Sequence, residues 1–286
     1  MGIGSALGLD EDENEMQDKR SWRLLDTGAH SGVWNMALDE ALWRVLSQRG
    51  TAPVLRLYRW REPTLSLGRF QSLEAINLEA CRRLGIAVVR RPTGGRAILH
   101  HERELSYSLV HPLEGMGSVL QSHRRISEAL RLGLRRLGIE AELVKAGAEA
   151  GRGTSSTGAE AACFATPSWW ELTARGRKLV GSAQVRSQRA LLEHGSLLLE
   201  LELEKLAEIL TPDGSPKGKR ELERVLRRQA SGLWEAASRE ITPEELKEAL
   251  TAGFAERFGV ELLPDEPTPE ELELAATLVE RYAMPR

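Results

Sequence analysis

The 286-residue chain contains two cysteines, too few for a disulfide framework or for a zinc site built from four cysteines. It also lacks any apolar run near the roughly 18–20 residues that cross a bilayer. The first twenty residues are acidic and have no apolar core, so we do not expect a signal peptide there. With a net charge of −3, no overall basic field favours nucleic-acid binding. These absences predict a cytoplasmic protein that binds neither nucleic acid nor membrane.

The chain is 41% hydrophobic and 28% charged. This is the composition of a folded protein with a sizeable core. Residues 1–19 are the exception, because their Gly- and acid-rich sequence predicts a disordered extension. Two late helices should begin at residues 242 and 268, where Thr-Pro-Glu-Glu forms a capping box. Periodicity predicts strands at 22–26, 54–60, 64–67, 86–89, 104–110 and 190–201, helices at 31–48, 77–84 and 118–137, and only helices after residue 201.

A glycine pair follows the strand predicted at 86–89. Gly94 and Gly95 would let the backbone approach a ligand, and their NH groups could cradle an anion or a carbonyl oxygen. Nearby arginines could add contacts to phosphate, although a simple turn with solvated arginines fits the pattern equally well. The motif is neither a nucleotide P-loop nor a Rossmann fingerprint. His100 and His101 follow, but no third ligand stands at a recognisable spacing, so we expect no metal site.

Cys163 has an unusual setting. It follows a segment of small residues, 147–162, which is too poor in apolar mass to pack and is predicted to be a mobile loop. Beyond Trp169 and Trp170, alternating apolar residues on both sides of Arg175-Gly176 predict a hairpin that could bring Lys178 back towards the cysteine. A thiol beside an ammonium group could act as a covalent catalyst. An inert thiol and a solvated lysine remain the simpler alternative, and Cys81 is predicted to be a packed or half-exposed helical thiol.

Three motifs occur in a fixed order: Arg91-Pro-Thr-Gly-Gly-Arg96, Gly176-Arg-Lys-x-x-Gly-Ser-Ala183 and His194-Gly-x-Leu-Leu198. Together they resemble the biotin/lipoate protein ligase superfamily and, within it, the LipM-type octanoyltransferases, over about residues 22–199. The resemblance implies an α/β (α+β) fold with a mixed central sheet and flanking helices. A catalytic domain would cover residues 20–260, and residues 261–286 would form a C-terminal helical segment packed on it.

The resemblance also implies a reaction. Such enzymes take octanoyl from acyl carrier protein and pass it, through a cysteine thioester, to a lysine of a lipoyl-domain protein such as the glycine cleavage H protein, without a cofactor. The catalytic pair would be Cys163, which accepts the acyl group, and Lys178, which assists it. The one departure from the pattern is His101, where relatives often carry an acid. The implied substrate-binding residues are Arg91, Thr93, Gly94, Gly95, Arg96, Gly181, Ser182, Ala183, His194 and Gly195.

Three other functions stay open at this point. An ATP-dependent lipoate–protein ligase needs the lysine but no catalytic cysteine, and its loop usually contains Ser-Gly-Gly-Gly where this chain has Thr-Gly-Gly-Arg. An amidotransferase that moves octanoyl between two lipoyl domains also uses a cysteine, so the sequence separates it less well. A non-catalytic acyl-binding module would have no need for both Cys163 and Lys178.

Overall fold

The structure is a computed structural model that describes residues 21–144 and 170–283. Predictions for the extension at 1–19, the loop at 147–162, Cys163 and Trp169 lie outside the described residues. The strands are β1 (Ser21–His30), β2 (Val54–Trp60), β3 (Thr64–Leu67), β4 (Ala87–Arg90), β5 (Ile98–His100), β6 (Glu104–Pro112), β7 (Glu142–Val144), β8 (Glu171–Ala174), β9 (Arg177–Lys178), β10 (Val180–Arg186), β11 (Ala190–Leu198) and β12 (Glu261–Pro264).

Eight helices surround these strands in the described part of the chain. Their termini follow the local sequence: Ser118, Thr242 and Thr268 each form a capping box, so the two capping boxes predicted from sequence are confirmed. The helices are α1 (Gly32–Arg49), α2 (Leu78–Arg83), α3 (Val119–Arg136), α4 (Leu203–Ile209), α5 (Pro216–Gln229), α6 (Leu233–Ala237), α7 (Pro243–Phe258) and α8 (Pro269–Tyr282).

A six-stranded sheet in the order β10-β11-β6-β2-β1-β12 forms the centre of the molecule. The pairs β10–β11, β11–β6 and β6–β2 are antiparallel, whereas β1 pairs in parallel with both β2 and β12. The predicted mixed sheet with flanking helices is therefore confirmed. Because side chains alternate along a strand, Leu55 and Leu57 pack under α3 and α7 on one face, while Val54 and Tyr58 pack under α1 and α8 on the other.

Two small sheets extend this core. The sheet β4-β3-β5 packs with α2, α4 and α5 in a separate apolar cluster. The sheet β7-β8-β9 contains the predicted hairpin, whose turn residues Arg175 and Gly176 have φ values of 51° and 73°. Positive φ at both positions is the geometry of a type I′ turn, which matches the twist of paired strands. In the described ranges, no helix is long and apolar enough to span a bilayer.

One prediction about the C-terminal part is wrong. Residues after 201 are not all helical, because β12 pairs with β1 through Ser21↔Glu261 and the next three positions. Its sequence, ELLP, is short and half exposed, so its periodicity is too weak to distinguish a strand from a loop. The following helix, α8, packs its buried Ala275, Leu278 and Tyr282 in the α1 cluster. The predicted domain boundary at residue 260 stays a prediction.

Candidate active site

A narrow pocket, here called the slot, opens between the glycine-rich loop and strands β10 and β11. Six residues predicted to bind substrate line it together: Arg91, Gly181, Ser182, Ala183, His194 and Gly195. The loop meets the strand closely, because a Cβ built on Gly95 would lie 3.8 Å from the Ala183 Cβ. The remaining walls are contributed by Met36, Tyr58, Trp60, Ser66, Ile98, His100 and Ser196.

The floor of the slot depends on a glycine. Gly195 pairs with Ser182 on one side and with Tyr107 on the other. A Cβ at this position would lie 2.7 Å from both the Ser182 Oγ and the Tyr107 Cε1, closer than real side-chain contacts allow. A glycine at residue 195 therefore lets the two neighbouring strands bring their side chains together beneath the slot.

The Arg91 side chain braces the loop from inside. Its guanidinium donates to the Ser66 carbonyl at 2.9 Å, the Gly94 carbonyl at 2.8 Å and the Arg96 carbonyl at 2.7 Å. Arg91 is buried, and buried carbonyl groups require such partners. The guanidinium of Arg96, by contrast, has no hydrogen-bond or ion-pair partner among residues 21–144 and 170–283.

A buried polar chain fixes the other end of the loop. The Thr93 hydroxyl lies 2.7 Å from His194 Nε2, and His194 Nδ1 lies 2.9 Å from an Asp39 carboxylate oxygen. Asp39 in turn accepts from Arg56 at 2.6 Å and from Ser108 at 2.8 Å. Burial raises the pKa of Asp39, but the Arg56 guanidinium and the His194 hydrogen bond outweigh it and hold that pKa below its usual range.

Asp39 and Arg56 were missed by the sequence analysis. Each stood in a predicted element, Asp39 among the apolar residues of the helix at 31–48 and Arg56 in the strand at 54–60. A charged side chain at a core-facing position needs a partner, and that requirement was the signal that could have identified the pair. Both side chains are fully buried.

The two adjacent histidines lie in different environments. His100 stacks on Trp60, with ring centroids 3.7 Å apart, and bonds Ser66 at 2.7 Å and Glu104 at 3.0 Å. Burial lowers its pKa more than Glu104 raises it. His101 instead faces the Glu200 carbonyl at 3.1 Å, away from the slot. Over the described ranges, no three His, Cys, Asp or Glu side chains are grouped to hold a metal.

Lys178 lies next to a second pocket, here called the lysine pocket, which is lined by its carboxylate partner Glu171 and not by the lysine itself. Its ammonium group donates to the carboxylate of Glu171 across the β8–β9 hairpin. Lys178 is 5% exposed, so it is not an ordinary solvated strand lysine. The pocket beside this ion pair contains Trp170, Glu171, Val180 and Ser182. Ser182 lines both pockets, so the slot and the lysine pocket adjoin at this residue.

A second charged pair faces the lysine pocket from α3 and β11. His123 Nδ1 lies 2.9 Å from a carboxylate oxygen of the fully buried Glu193, which also accepts from Gln184 at 2.7 Å and from Tyr107 at 3.3 Å. Burial lowers the pKa of His123, but the Glu193 carboxylate raises it by a larger amount, so the pKa lies above its usual value. The sequence held no signal for this pair, because its members are 70 positions apart.

Of the two cysteines, Cys81 lies among the described residues. Cys81 is 1% exposed in α2, as predicted, and burial raises its pKa to about 11, which makes it a poor nucleophile. Cys163 lies outside the described residues. What the described residues offer is an apolar slot with a braced loop and, next to it, two ion pairs, Lys178–Glu171 and His123–Glu193, that can hold and exchange protons.

Comparison with known proteins assigns the chain to a family. The family model of the lipoyl protein ligase A/B catalytic domain matches residues 31–255. The octanoyltransferase LipM of Carboxydothermus hydrogenoformans is 43% identical over 92% of this chain and 96% of its own length, and that of Kyrpidia tusciae is 44% identical with the same coverage. A bi-partite lipoate protein ligase from Thermoplasma acidophilum, 24% identical, shares the fold with a TM-score of 0.76 over 91% of this chain and 92% of its own. The chain therefore belongs to the lipoyl protein ligase A/B family and, within it, to the LipM octanoyltransferases.

Proposed function

We propose that this enzyme transfers octanoyl from acyl carrier protein to a lysine of a lipoyl-domain protein, such as the glycine cleavage H protein, through a thioester on Cys163. The reaction takes place in the cytoplasm and requires no cofactor. The observation that carries the proposal is the junction at Ser182, where a narrow, largely apolar slot adjoins a pocket lined by Glu171, the carboxylate partner of the buried Lys178. The relatives named octanoyltransferase LipM support octanoyl as the transferred group and lipoate biosynthesis as the pathway.

The slot suits an unbranched acyl chain. Trp60, Ile98 and Ala183 offer apolar surface, and Gly181 and Gly195 add no side-chain bulk. At about 0.8 kcal/mol per buried methylene, the six methylenes of octanoyl contribute roughly 5 kcal/mol of binding free energy. A charged group would instead be buried there without a partner of its own.

The first chemical step needs a thiolate. A free cysteine has a pKa of about 8.5, so most of it is protonated at neutral pH. An ammonium group about 4 Å away contributes up to about 4 kcal/mol at an effective dielectric constant near 20. The carboxylate of Glu171, bonded to the same ammonium, reduces that field. We therefore assign Lys178 two tasks: a modest lowering of the thiol pKa, and proton transfer within the Lys178–Glu171 pair.

The proton balance follows from these tasks. The Cys163 thiolate attacks the octanoyl carbonyl, the carbon–sulfur bond to the carrier breaks, and the departing thiolate takes a proton from Lys178. Neutral Lys178 then accepts a proton from the ammonium group of the acceptor lysine, whose amine attacks the enzyme thioester. The amide forms, the second proton of the amine passes to the leaving Cys163 sulfur, and Lys178 is again an ammonium; release of the thiol proton to solvent restores the starting thiolate.

Intact-mass measurement tests the proposal directly. The protein is incubated with octanoyl-acyl carrier protein without ATP, and we expect an added octanoyl group that hydroxylamine removes and that the H protein accepts. Cys163→Ser should abolish this thioester. Cys81→Ser is the matched control, because it removes the other cysteine and should leave the adduct intact.

Each alternative function gives a different outcome in the same experiment. An ATP-dependent ligase would require ATP and free lipoate or octanoate and would survive Cys163→Ser. An amidotransferase would acquire octanoyl from octanoylated H protein and not from acyl carrier protein. A binding module would show no covalent change with any of these donors. Any one of these three results would contradict the proposed function.

A further inference from the structure

The loop between β3 and the 3₁₀ turn at Leu73–Ala75 exposes an aromatic ring beside the active site. The Phe70 side chain is 86% exposed, whereas the other large apolar side chains at the described surface are at most 52% exposed. An exposed ring of this size gains nothing for the fold, because its apolar surface stays in water. Exposed aromatic side chains at the edge of a site are typical anchors for a protein partner.

Phe70 is held in a fixed position rather than on a loose loop. Arg90 Nη1 lies within hydrogen-bonding distance of three carbonyl oxygens of this loop, those of Gly68 at 2.9 Å, Arg69 at 3.3 Å and Gln71 at 2.7 Å. The Arg69 backbone NH also donates to the Thr93 carbonyl at 2.9 Å. A rigid anchor loses little conformational entropy on binding, which favours affinity.

The Phe70 loop also lies directly against the glycine-rich loop of the slot. A Cβ on Gly68 would overlap the Gly95 carbonyl oxygen, so only glycine permits this approach. A protein that contacts Phe70 is therefore placed next to Gly95, which lies against the slot residue Ala183.

The charge around Phe70 defines the partner. Arg69 is exposed, and its guanidinium lies 5.5 Å from the centre of the Phe70 ring. Within the described ranges, neither Arg69, Arg90 nor Arg96 forms an ion pair with a carboxylate, although Arg90 bonds carbonyl oxygens. Glu74 is the single acidic residue between positions 68 and 76. An apolar anchor beside an arginine with no carboxylate partner among the described residues fits an acidic protein surface with an apolar depression.

We propose that Phe70 and Arg69 form the docking point for the acidic carrier protein that delivers the acyl thioester; this inference rests on the proposed function. The donor fits this position better than the acceptor does. Lys178 lies five residues from Ala183, the residue beneath Gly95, and this separation corresponds to about 16 Å of extended chain. A carrier holds its thioester on a long flexible arm that can cover such a distance. An acceptor lysine has a short side chain, so its domain must bind near Lys178 itself.

The test measures acylation of the enzyme by intact mass while the concentration of octanoyl-acyl carrier protein is varied. We expect Phe70→Ser and Arg69→Glu each to raise the half-saturating carrier concentration about tenfold, as loss of an aromatic or charged anchor does, with the maximal rate unchanged. Acylation by octanoyl-pantetheine, which has no protein to dock, and transfer from preloaded enzyme to the H protein should both keep their wild-type rates. Leu272→Ser, which removes another exposed apolar side chain on α8, is the matched control and should behave as wild type.

Inhibition by octanoyl-free carrier protein gives a second measurement that does not depend on the small thioester. Its inhibition constant should rise about tenfold in Phe70→Ser and stay unchanged in Leu272→Ser. Half-saturating concentrations within twofold of wild type would overturn the docking inference, as would an equal defect with octanoyl-pantetheine or a defect confined to the H-protein step. Wild-type protein that takes up no octanoyl from any donor would instead refute the proposed function.

Discussion

The slot and the lysine pocket share Ser182 but are built on different physical principles. Around the slot, polar groups are locked into one arrangement: Arg56, Asp39, His194 and Thr93 form a continuous buried chain. Around the lysine pocket, the polar groups are proton carriers in two ion pairs, Lys178–Glu171 and His123–Glu193. We therefore expect the slot to fix geometry and the lysine pocket to control protonation in the proposed reaction. Substitutions on the two sides should differ in whether they affect stability and substrate fit or pH dependence and rate.

The largest effect is expected from Asp39→Asn on the slot side. The substitution leaves the Arg56 cation buried without its carboxylate, which should lower the free energy of unfolding by about 3–5 kcal/mol. Because the pKa of Asp39 is lowered in the folded state, its stabilisation exists above the unfolded-state pKa and is lost as the pH falls through the folded-state value. Urea unfolding at neutral pH and in strong acid measures the difference. A loss below 1 kcal/mol at neutral pH would show that the slot is not held by this chain.

The second effect concerns rate, on the other side of Ser182. In the double variant Lys178→Gln/Glu171→Gln, the amide groups can still bond one another, but no proton can be exchanged. We expect acyl transfer to slow about 100-fold and the alkylation pKa of Cys163 to move towards about 8.5, with the slot intact. The pH dependence of iodoacetamide alkylation in wild type and variant measures the thiol. An unchanged thiol pKa together with an unchanged transfer rate would remove the role assigned to Lys178.

A third substitution tests the floor of the slot. Gly195→Ala forces a methyl group against Ser182 and Tyr107, and such overpacking typically costs about 1–3 kcal/mol. Urea unfolding of wild type and variant measures this loss of stability. Gly94→Ala is the matched control for stability, because a Cβ there meets no atom within 4 Å. Equal stability of both variants would contradict the packing argument.

The smallest effect is expected from His123→Gln and depends on pH. The net pKa of His123 is raised by Glu193, so the stabilisation it provides is complete below its unfolded-state pKa of about 6.5 and is lost as the pH rises through the folded-state value. The difference in unfolding free energy between wild type and variant should be about 1 kcal/mol at pH 6 and smaller at pH 9, as thermal unfolding at both pH values can measure.

His30→Gln gives a control of opposite sign for this last experiment. Burial and the Arg56 charge lower the pKa of His30, so protonation of this residue opposes folding at low pH. Its replacement should therefore make the variant relatively more stable as the pH falls below about 6.5. The same pH trend in both variants would show that Glu193 does not govern the behaviour of His123.

Local sequence was sufficient for the elements and for part of the site. The boundaries of β2 and β3 agree with the predicted ones, because alternation and the Glu62-Pro63 break are strong local signals. The motif residues Arg91, Gly181 and His194 do line one pocket. Their presumed direct contacts with substrate stay predictions, and the structure adds that Arg91 and His194 also hold the loop in place. Asp39 and Glu193 were not found, because their histidine partners are 155 and 70 positions away. Glu171 was not found although Lys178 is seven positions away, because only the folded hairpin shows that the two side chains face each other.

The sequence by itself determined most of the strands and helices, where two capped helices begin and which residues carry the family's motifs, since all of these depend on neighbouring residues. Only the tertiary structure decided that a carboxylate on α1 orients a histidine on β11, that Lys178 is buried against Glu171, and that the slot and the lysine pocket adjoin at Ser182. The physical reason is that buried charged side chains are stable only when they are paired. Which side chains form a pair depends on the folded arrangement of the chain.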